Sequence, residues 1–160
     1  MAKFKDLKLA SKRFIKRYPF PELDAPKLTL PAKSIKNCKL ALVTTAGLYQ
    51  KEDKPFSDNF KDSDCSFRII QHNADKSNLL ISHTSGDFDR SGVQEDLNVA
   101  FPIDRIKELA LKGTIGSIAE RHYSFMGSLP RTGDLRNNTA PEVARMMKEE
   151  SVDVALIAPV

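Results

Sequence analysis

The stretch Lys39-Leu-Ala-Leu-Val-Thr-Thr-Ala-Gly47 constrains this chain more than any other part of it. Residues 40–43 form an unbroken apolar run that small residues and Gly47 then stop. A run of that length with no polar alternation reads as a strand covered on both faces, which is the environment of a parallel sheet. Further strands are predicted at 67–70, at 79–82 and at 152–157, each bounded by polar or turn-forming residues. Between them lie helices. Pro102 opens one in which Ile103, Ile106, Leu109 and Ala110 recur at helical spacing until Gly113 ends it. Thr139 is the expected N-cap of another, with Pro141 in its first turn, Glu142 at the capping-box position, and Val143, Met146 and Met147 on its apolar side. Strands alternating with helices predict an α/β fold: a doubly wound, mostly parallel sheet in three layers.

With 160 residues, 41% hydrophobic and 29% charged, the chain is one domain's worth and can bury a real core. No apolar run approaches the roughly 20 residues of a membrane-spanning helix. No secretory signal is visible, and two cysteines cannot make a disulfide framework, so a reduced cytoplasm is the expected location. The net charge of +4 is unevenly spread. Residues 1–40 carry eleven Lys/Arg against three Asp/Glu, whereas residues 41–160 carry fourteen against eighteen. The basicity therefore belongs to a leader, residues 1–37, predicted as a helix or arm up to Tyr18 followed by an extended strap set by Pro19, Pro21, Pro26 and Pro31. A solvated arm is the favoured reading, an acidic partner or nucleic acid the disfavoured one. The α/β domain is assigned to residues 38–160.

In an open α/β sheet ligands gather beyond the carboxyl ends of the strands. Three segments are expected to form loops there. The first, Thr44-Thr45-Ala46-Gly47, offers hydroxyls and backbone N–H groups for a small anion, or simply a tight turn. The second, residues 82–90, places His83 four and six residues before Asp87 and Asp89, a spacing open to acid–base work or to capping. The third, His122-Tyr-Ser-Phe-Met-Gly127, groups hydrogen-bond donors including Ser124, with Gly127 allowing close approach of backbone. No metal motif is present. Cys38 and Cys65 both precede strands, away from the edge where a reactive thiol is expected, and Asp104 is expected to cap or charge the first turn after Pro102.

Seven motifs in order resemble the selenoprotein B subunits of the glycine, sarcosine, betaine and D-proline reductases. They are Leu42-Val-Thr-Thr-Ala-Gly47, Ser82-His83, Asp96-Leu-Asn-Val-Ala-Phe-Pro-Ile-Asp-Arg105, Gly113-Thr-Ile-Gly116, His122-Tyr-Ser-Phe-Met-Gly127, Pro141-Glu-Val-Ala-Arg145 and Val152-Asp-Val-Ala-Leu-Ile-Ala-Pro-Val160. The resemblance runs from about residue 39 to residue 160 and leaves the basic leader outside. It implies a subunit of an anaerobic reductase that cleaves a C–N bond of an amino acid or amine, with electrons delivered through thiols. On that alignment the redox selenocysteine or cysteine lies directly after Val160. A reading frame halted at a selenocysteine codon would end there, with a deliberately chosen boundary as the rival explanation. The 160 residues alone are then expected to be inactive and to hold no cofactor.

Among the residues, the resemblance points to His83, His122 and Asp87 as catalytic groups, a histidine donating the proton to the leaving nitrogen. It points to Thr44, Thr45, Gly47, Ser124 and Gly127 as substrate-binding. Expected partners are other reductase subunits, a thiol electron donor and a small amino-acid or amine substrate, with homo-oligomers also open. The competing reading is a non-catalytic α/β module that holds a small anion or a partner protein.

Overall fold

A computed structural model describes residues 4–18, 25 and 29–160, and the chain divides into two units, Met1–Leu30 and Pro31–Val160. The strap expected around Pro19, Pro21 and Pro26 lies outside the described residues. In the first unit a helix α1, Leu9–Arg17, buries none of its residues. Lys16 and Arg17 sit in its last turn, where the helix dipole favours cations. Lys12, Arg13, Lys16 and Arg17 share one side by helical spacing, and Phe14 and Ile15 share the other with Tyr18, whose ring packs 5.4 Å from that of Phe14.

The second unit is built from β1 (Lys39–Thr44), β2 (Leu48–Gln50), β3 (Phe67–Gln71), β4 (Leu79–Ile81), α2 (Arg90–Glu95), α3 (Ile103–Leu111), β5 (Ser117–Ile118), β6 (Arg121–Phe125), α4 (Ala140–Glu149) and β7 (Val154–Ala158). The apolar run becomes β1, and it lies at the centre of the main sheet, as its lack of a polar face requires. Along one edge it pairs with β7 in parallel, Leu40 opposite Val154 through Thr44 opposite Ala158. Along the other edge it pairs in parallel first with β5 and then with β6. The fold is thus α/β with a mostly parallel sheet, the exception being β3, which runs antiparallel to β6 at the border.

Alternate residues of β1 feed two apolar clusters. Leu40 and Leu42 join Ile103 and Ile106 of α3, with Phe101 and Ile115. Val43 joins Tyr123 and Phe125 of β6, Phe67 and Ile69 of β3, and Val143, Met146 and Met147 of α4. Each fully buried aliphatic side chain among them contributes roughly 1.5–3 kcal/mol. α3 ends as its sequence predicts. Gly113 takes a φ of +68°, its N–H donates to the Ala110 carbonyl, and the Thr114 N–H donates to the Leu109 carbonyl at 2.9 Å. The carboxylate of Asp104 accepts from Lys76 and Asn98, and Asn98 Oδ1 accepts the Asp104 N–H. β7 leaves Leu156 and Ile157 exposed at the border of the sheet.

Four expectations are corrected. Residues 79–81 of the strand expected at 79–82 do form one, but β4 pairs antiparallel with β2 in a separate two-stranded ribbon and not with the main sheet. Residues 121–125, expected as a loop, form β6 inside the sheet. The polar stretch after His83 contains α2, capped by Asp89, whose Oδ1 accepts the Ser91 N–H. Thr139 is not an N-cap: it is already helical, at the end of a π-helical turn, Leu135–Thr139, that runs straight into α4. Pro141 has no N–H to give and its ring crowds the preceding turn, and a widened turn relieves both conflicts. The Thr139 hydroxyl donates instead to the Cys65 carbonyl at 2.8 Å. Among the described residues no helix is long and apolar enough to cross a membrane.

The ribbon is anchored at Gly47, whose φ is +64°. Its N–H donates to the Phe125 carbonyl and its carbonyl accepts the Ser82 N–H, both at 2.9 Å. A Cβ there would collide with the Ser82 carbonyl oxygen. Gly47→Ala is therefore expected to combine left-handed strain with a backbone clash, costing about 3 kcal/mol. Urea unfolding followed by circular dichroism checks this, and a cost within experimental error would remove the ribbon's anchor from the account.

Candidate functional site

Because β1, β6 and β7 run parallel, their carboxyl ends emerge side by side. Thr45 follows β1 and is tied to the end of β7: its N–H donates to the Ala158 carbonyl at 3.3 Å, its Oγ1 accepts the Val160 N–H at 2.9 Å, and its hydroxyl lies 3.3 Å from the Val160 carbonyl oxygen. Gly127 follows β6 and fills the gap between them. A Cβ on Gly127 would stand 2.8 Å from the Thr45 carbonyl oxygen, 2.9 Å from the Val160 carbonyl oxygen and 2.9 Å from His83 Nε2. Only glycine admits so close a crossing of three backbone segments and an imidazole.

His83 reaches this crossing because the β2–β4 ribbon, held at Gly47, delivers the residues after Ser82 to it. His83 is buried, with 8% of the residue exposed. Nδ1 accepts the Ser85 N–H at 3.2 Å, so in the neutral ring the proton resides on Nε2. That Nε2 is buried and has no hydrogen-bond partner among the described residues. Burial, with a smaller contribution from the Arg90 guanidinium, holds the His83 pKa below the usual histidine value, so the ring is neutral at pH 7. Phe88 packs against it, ring centroids 4.7 Å apart. The ring borders a cleft of about 420 Å³ that Asp87, Phe88, Gly127, Ser128 and Val160 also line. The arrangement is a neutral N–H donor close to the residues that follow β7, with an exposed carboxylate, that of Asp87, on the same cleft.

The other sequence candidates do not reach the cleft. Thr44 is fully buried and its Oγ1 accepts the Ala46 N–H at 3.2 Å, so it closes the turn. Gly47 serves the ribbon. Ser124 is buried inside β6, its hydroxyl unpartnered. His122, expected beside the loop edge as a proton donor, is fully buried within the sheet. Between the β5 and β6 pairings the chain leaves the ladder, and His122 Nδ1 accepts the Leu42 N–H there at 3.0 Å. Its ring meets Phe101 edge-on. Burial, and next the nearby His72, push its pKa down to about 4. His122 is thus a neutral structural acceptor. Cys38 and Cys65 are buried, with sulfurs near the Ser34 and Arg131 carbonyls, and neither lines the cleft. Sequence reasoning missed Phe88 and Arg90. The only signal was their place beside Asp89, at the start of a helix too short to stand out.

Comparison with known proteins bears on what such a cleft does. Residues 6–159 match the family glycine/sarcosine/betaine reductase selenoprotein B, a match that takes in most of the basic leader. Among curated proteins, the D-proline reductase subunit gamma of Acetoanaerobium sticklandii is 37% identical over 137 residues, 86% of this chain and 54% of that protein. The glycine reductase complex component B subunit gamma of Symbiobacterium thermophilum is 26% identical over 153 residues, 94% of this chain and 35% of that protein. The betaine reductase complex component B subunit beta of Peptoclostridium acidaminophilum is 24% identical over 142 residues, 89% of this chain and 31% of that protein. The chain spans about half the length of the first relative and about a third of the others. No solved structure matches it.

His122 makes stability depend on acid. An unfolded histidine takes a proton near pH 6.5 and the folded one only near pH 4, so its contribution is complete above pH 6.5 and is lost as pH falls to about 4. The loss amounts to about 3 kcal/mol. In His122→Gln, which can offer an acceptor but does not titrate, denaturation midpoints measured from pH 7 to pH 4 should fall less steeply than in the wild type. Parallel pH profiles would contradict the assignment.

Proposed function

We propose that this chain, which belongs to the glycine/sarcosine/betaine reductase selenoprotein B family, forms part of a multi-subunit reductase that cleaves a C–N bond of an amino acid or amine. The observation that carries the reading is the buried Nε2–H of His83, without a hydrogen-bond partner among the described residues and close to Val160, just past the carboxyl end of β7. The names of the relatives support it, since each is a subunit of a D-proline, glycine or betaine reductase.

In this reading a selenocysteine or cysteine directly follows Val160 and works as its anion. The His83 Nε2–H donates a hydrogen bond to that selenolate or thiolate, and charge-assisted bonds of this kind are the strong ones in a water-poor site. Thr45 fixes the strand end that carries the nucleophile. Asp87, at the cleft mouth, attracts the positive nitrogen of an amine substrate. The chemistry balances with a dithiol as reductant: two S–H groups become a disulfide, the C–N bond becomes C–H and N–H, and the two thiol protons end on carbon and nitrogen. The neutral imidazole therefore holds the anion and need not surrender its own proton, which revises the proton-donor role first expected of it. The partners are other reductase subunits and the thiol donor, and the reducing environment such thiols require is that of the cytoplasm.

The test uses the natural full-length protein with its companion subunits and dithiothreitol. D-proline, glycine, sarcosine and betaine are offered in turn and the reduced product is measured. Turnover of one of them is expected, with His83→Gln lowering kcat by about 100-fold while a thiol or selenol remains open to alkylation. Binding of a small anion without turnover of any amine would favour a non-catalytic module instead.

A further inference from the structure

The loop from His83 to Arg90 closes on itself. Nη2 of the Arg90 guanidinium, at the first position of α2, donates to the carbonyl oxygen of His83 and, at 3.3 Å, to that of Ser85, while Nη1 donates to the Phe88 carbonyl at 3.5 Å. It also lies 5.9 Å from the centroid of the Phe88 ring, and Phe88 in turn packs on the His83 imidazole. The position of Arg90 is set by the Asp89 cap, since the Asp89 carboxylate accepts from both the N–H and the hydroxyl of Ser91 and so fixes where the helix begins. One planar, always-charged fork thus holds three carbonyls of the loop, those of His83 and Ser85 on one prong and that of Phe88 on the other, and a lysine ammonium, a single nitrogen, has no such two-pronged geometry.

We infer that Arg90 is a positioning residue for His83: by tying the His83 and Ser85 carbonyls together it holds the Ser85 N–H against His83 Nδ1, and so fixes the tautomer that presents an Nε2–H to the end of β7. Three consequences follow from the geometry. Without the tie the Ser85 N–H is free to leave Nδ1, and the ring can exchange its proton between the two nitrogens. Phe88 loses one of the two groups it packs between, so the ring is freer to turn. The cation beside the imidazole disappears, and the ring becomes easier to protonate. Other charges near His83 come from Asp87 and Asp89 on the same loop. The segments packed against the ring from β6 and β7, residues 126–128 and 158–160, carry none. Arg90 is therefore the one cation in this set, and the clamp has no substitute among these neighbours.

The clamp matters for catalysis only if His83 has the role proposed above, but its existence does not depend on that role, and the two are separated by a measurement on the ring itself. Long-range ¹H–¹⁵N spectra of the ¹⁵N-labelled 160-residue chain report the tautomer and titration of His83, assigned by loss of its signals in His83→Gln. The wild type should show a single tautomer, protonated on Nε2, titrating below pH 6.5. Arg90→Gln should show a mixture of tautomers and a raised midpoint. Arg90→Lys, which keeps the charge and loses the fork, should keep most of the low midpoint and still mix the tautomers. It also serves if Arg90→Gln fails to fold. A single Nε2–H tautomer in Arg90→Lys, or an unchanged tautomer and midpoint in a folded Arg90→Gln, overturns the clamp. A clamp confirmed by these spectra together with full turnover by His83→Gln would overturn the reductase role of His83 and leave the clamp standing.

Discussion

The pairing of β1 on both of its edges is the constraint from which the rest of this domain follows. A strand buried on both faces and between two neighbours has no water to satisfy its backbone, so every N–H and C=O needs a protein partner. On the β7 side an unbroken parallel ladder meets that demand. On the other side the ladder is split, β5 pairing with the start of β1 and β6 with its end. The Leu42 N–H falls in the gap, and the ring of His122 answers it. A histidine spent this way must stay neutral, and the acid sensitivity of the fold is the consequence.

The same parallel arrangement decides where chemistry is possible. It sets the ends of β1, β6 and β7 together, joined by the Thr45 N–H and hydroxyl to residues 158 and 160, with Gly127, which has no side chain, leaving room for the crossing. The β2–β4 ribbon, turned out of the main sheet at Gly47, then brings in a residue from a distant part of the sequence. His83 is therefore held by three separate devices: the ribbon, the Ser85 N–H and the Arg90 fork. A donor fixed so firmly, yet left without an acceptor among the described residues, is the arrangement expected of a group reserved for a reacting anion.

The parts of the fold legible in the sequence were those whose burial matches their composition. Residues 40–43 are apolar throughout, the first three buried and Val43 half-buried, and α3 carries both its apolar period and the glycine that ends it. β6 was hidden because its buried positions hold histidine, tyrosine and serine, residues that no hydrophobic period reveals. The Leu42 N–H that explains His122 lies 80 positions away in the chain. α4 was found but its start was not, because a proline after a threonine resembles a helix beginning, whereas here the helix is already under way and widens to pass it. The site shows the same division. His83 stood out as a histidine after a strand, and Gly127 as a glycine beside packed residues. Arg90 acts through carbonyl groups, and nothing in the identity of an arginine says which carbonyls it will meet.

The claim on which the account rests is that the end of β7 presents the redox group to His83. Mass spectrometry of the natural protein, reduced and alkylated with iodoacetamide before proteolysis, tests it directly through the peptide that contains residues 154–160. The expected result is a selenocysteine or cysteine immediately after Val160, carrying the alkyl group, with the pH midpoint of its alkylation raised in His83→Gln as the anion loses the hydrogen bond. A peptide that continues past Val160 with neither residue, or one alkylated with the same pH midpoint in both proteins, would contradict it.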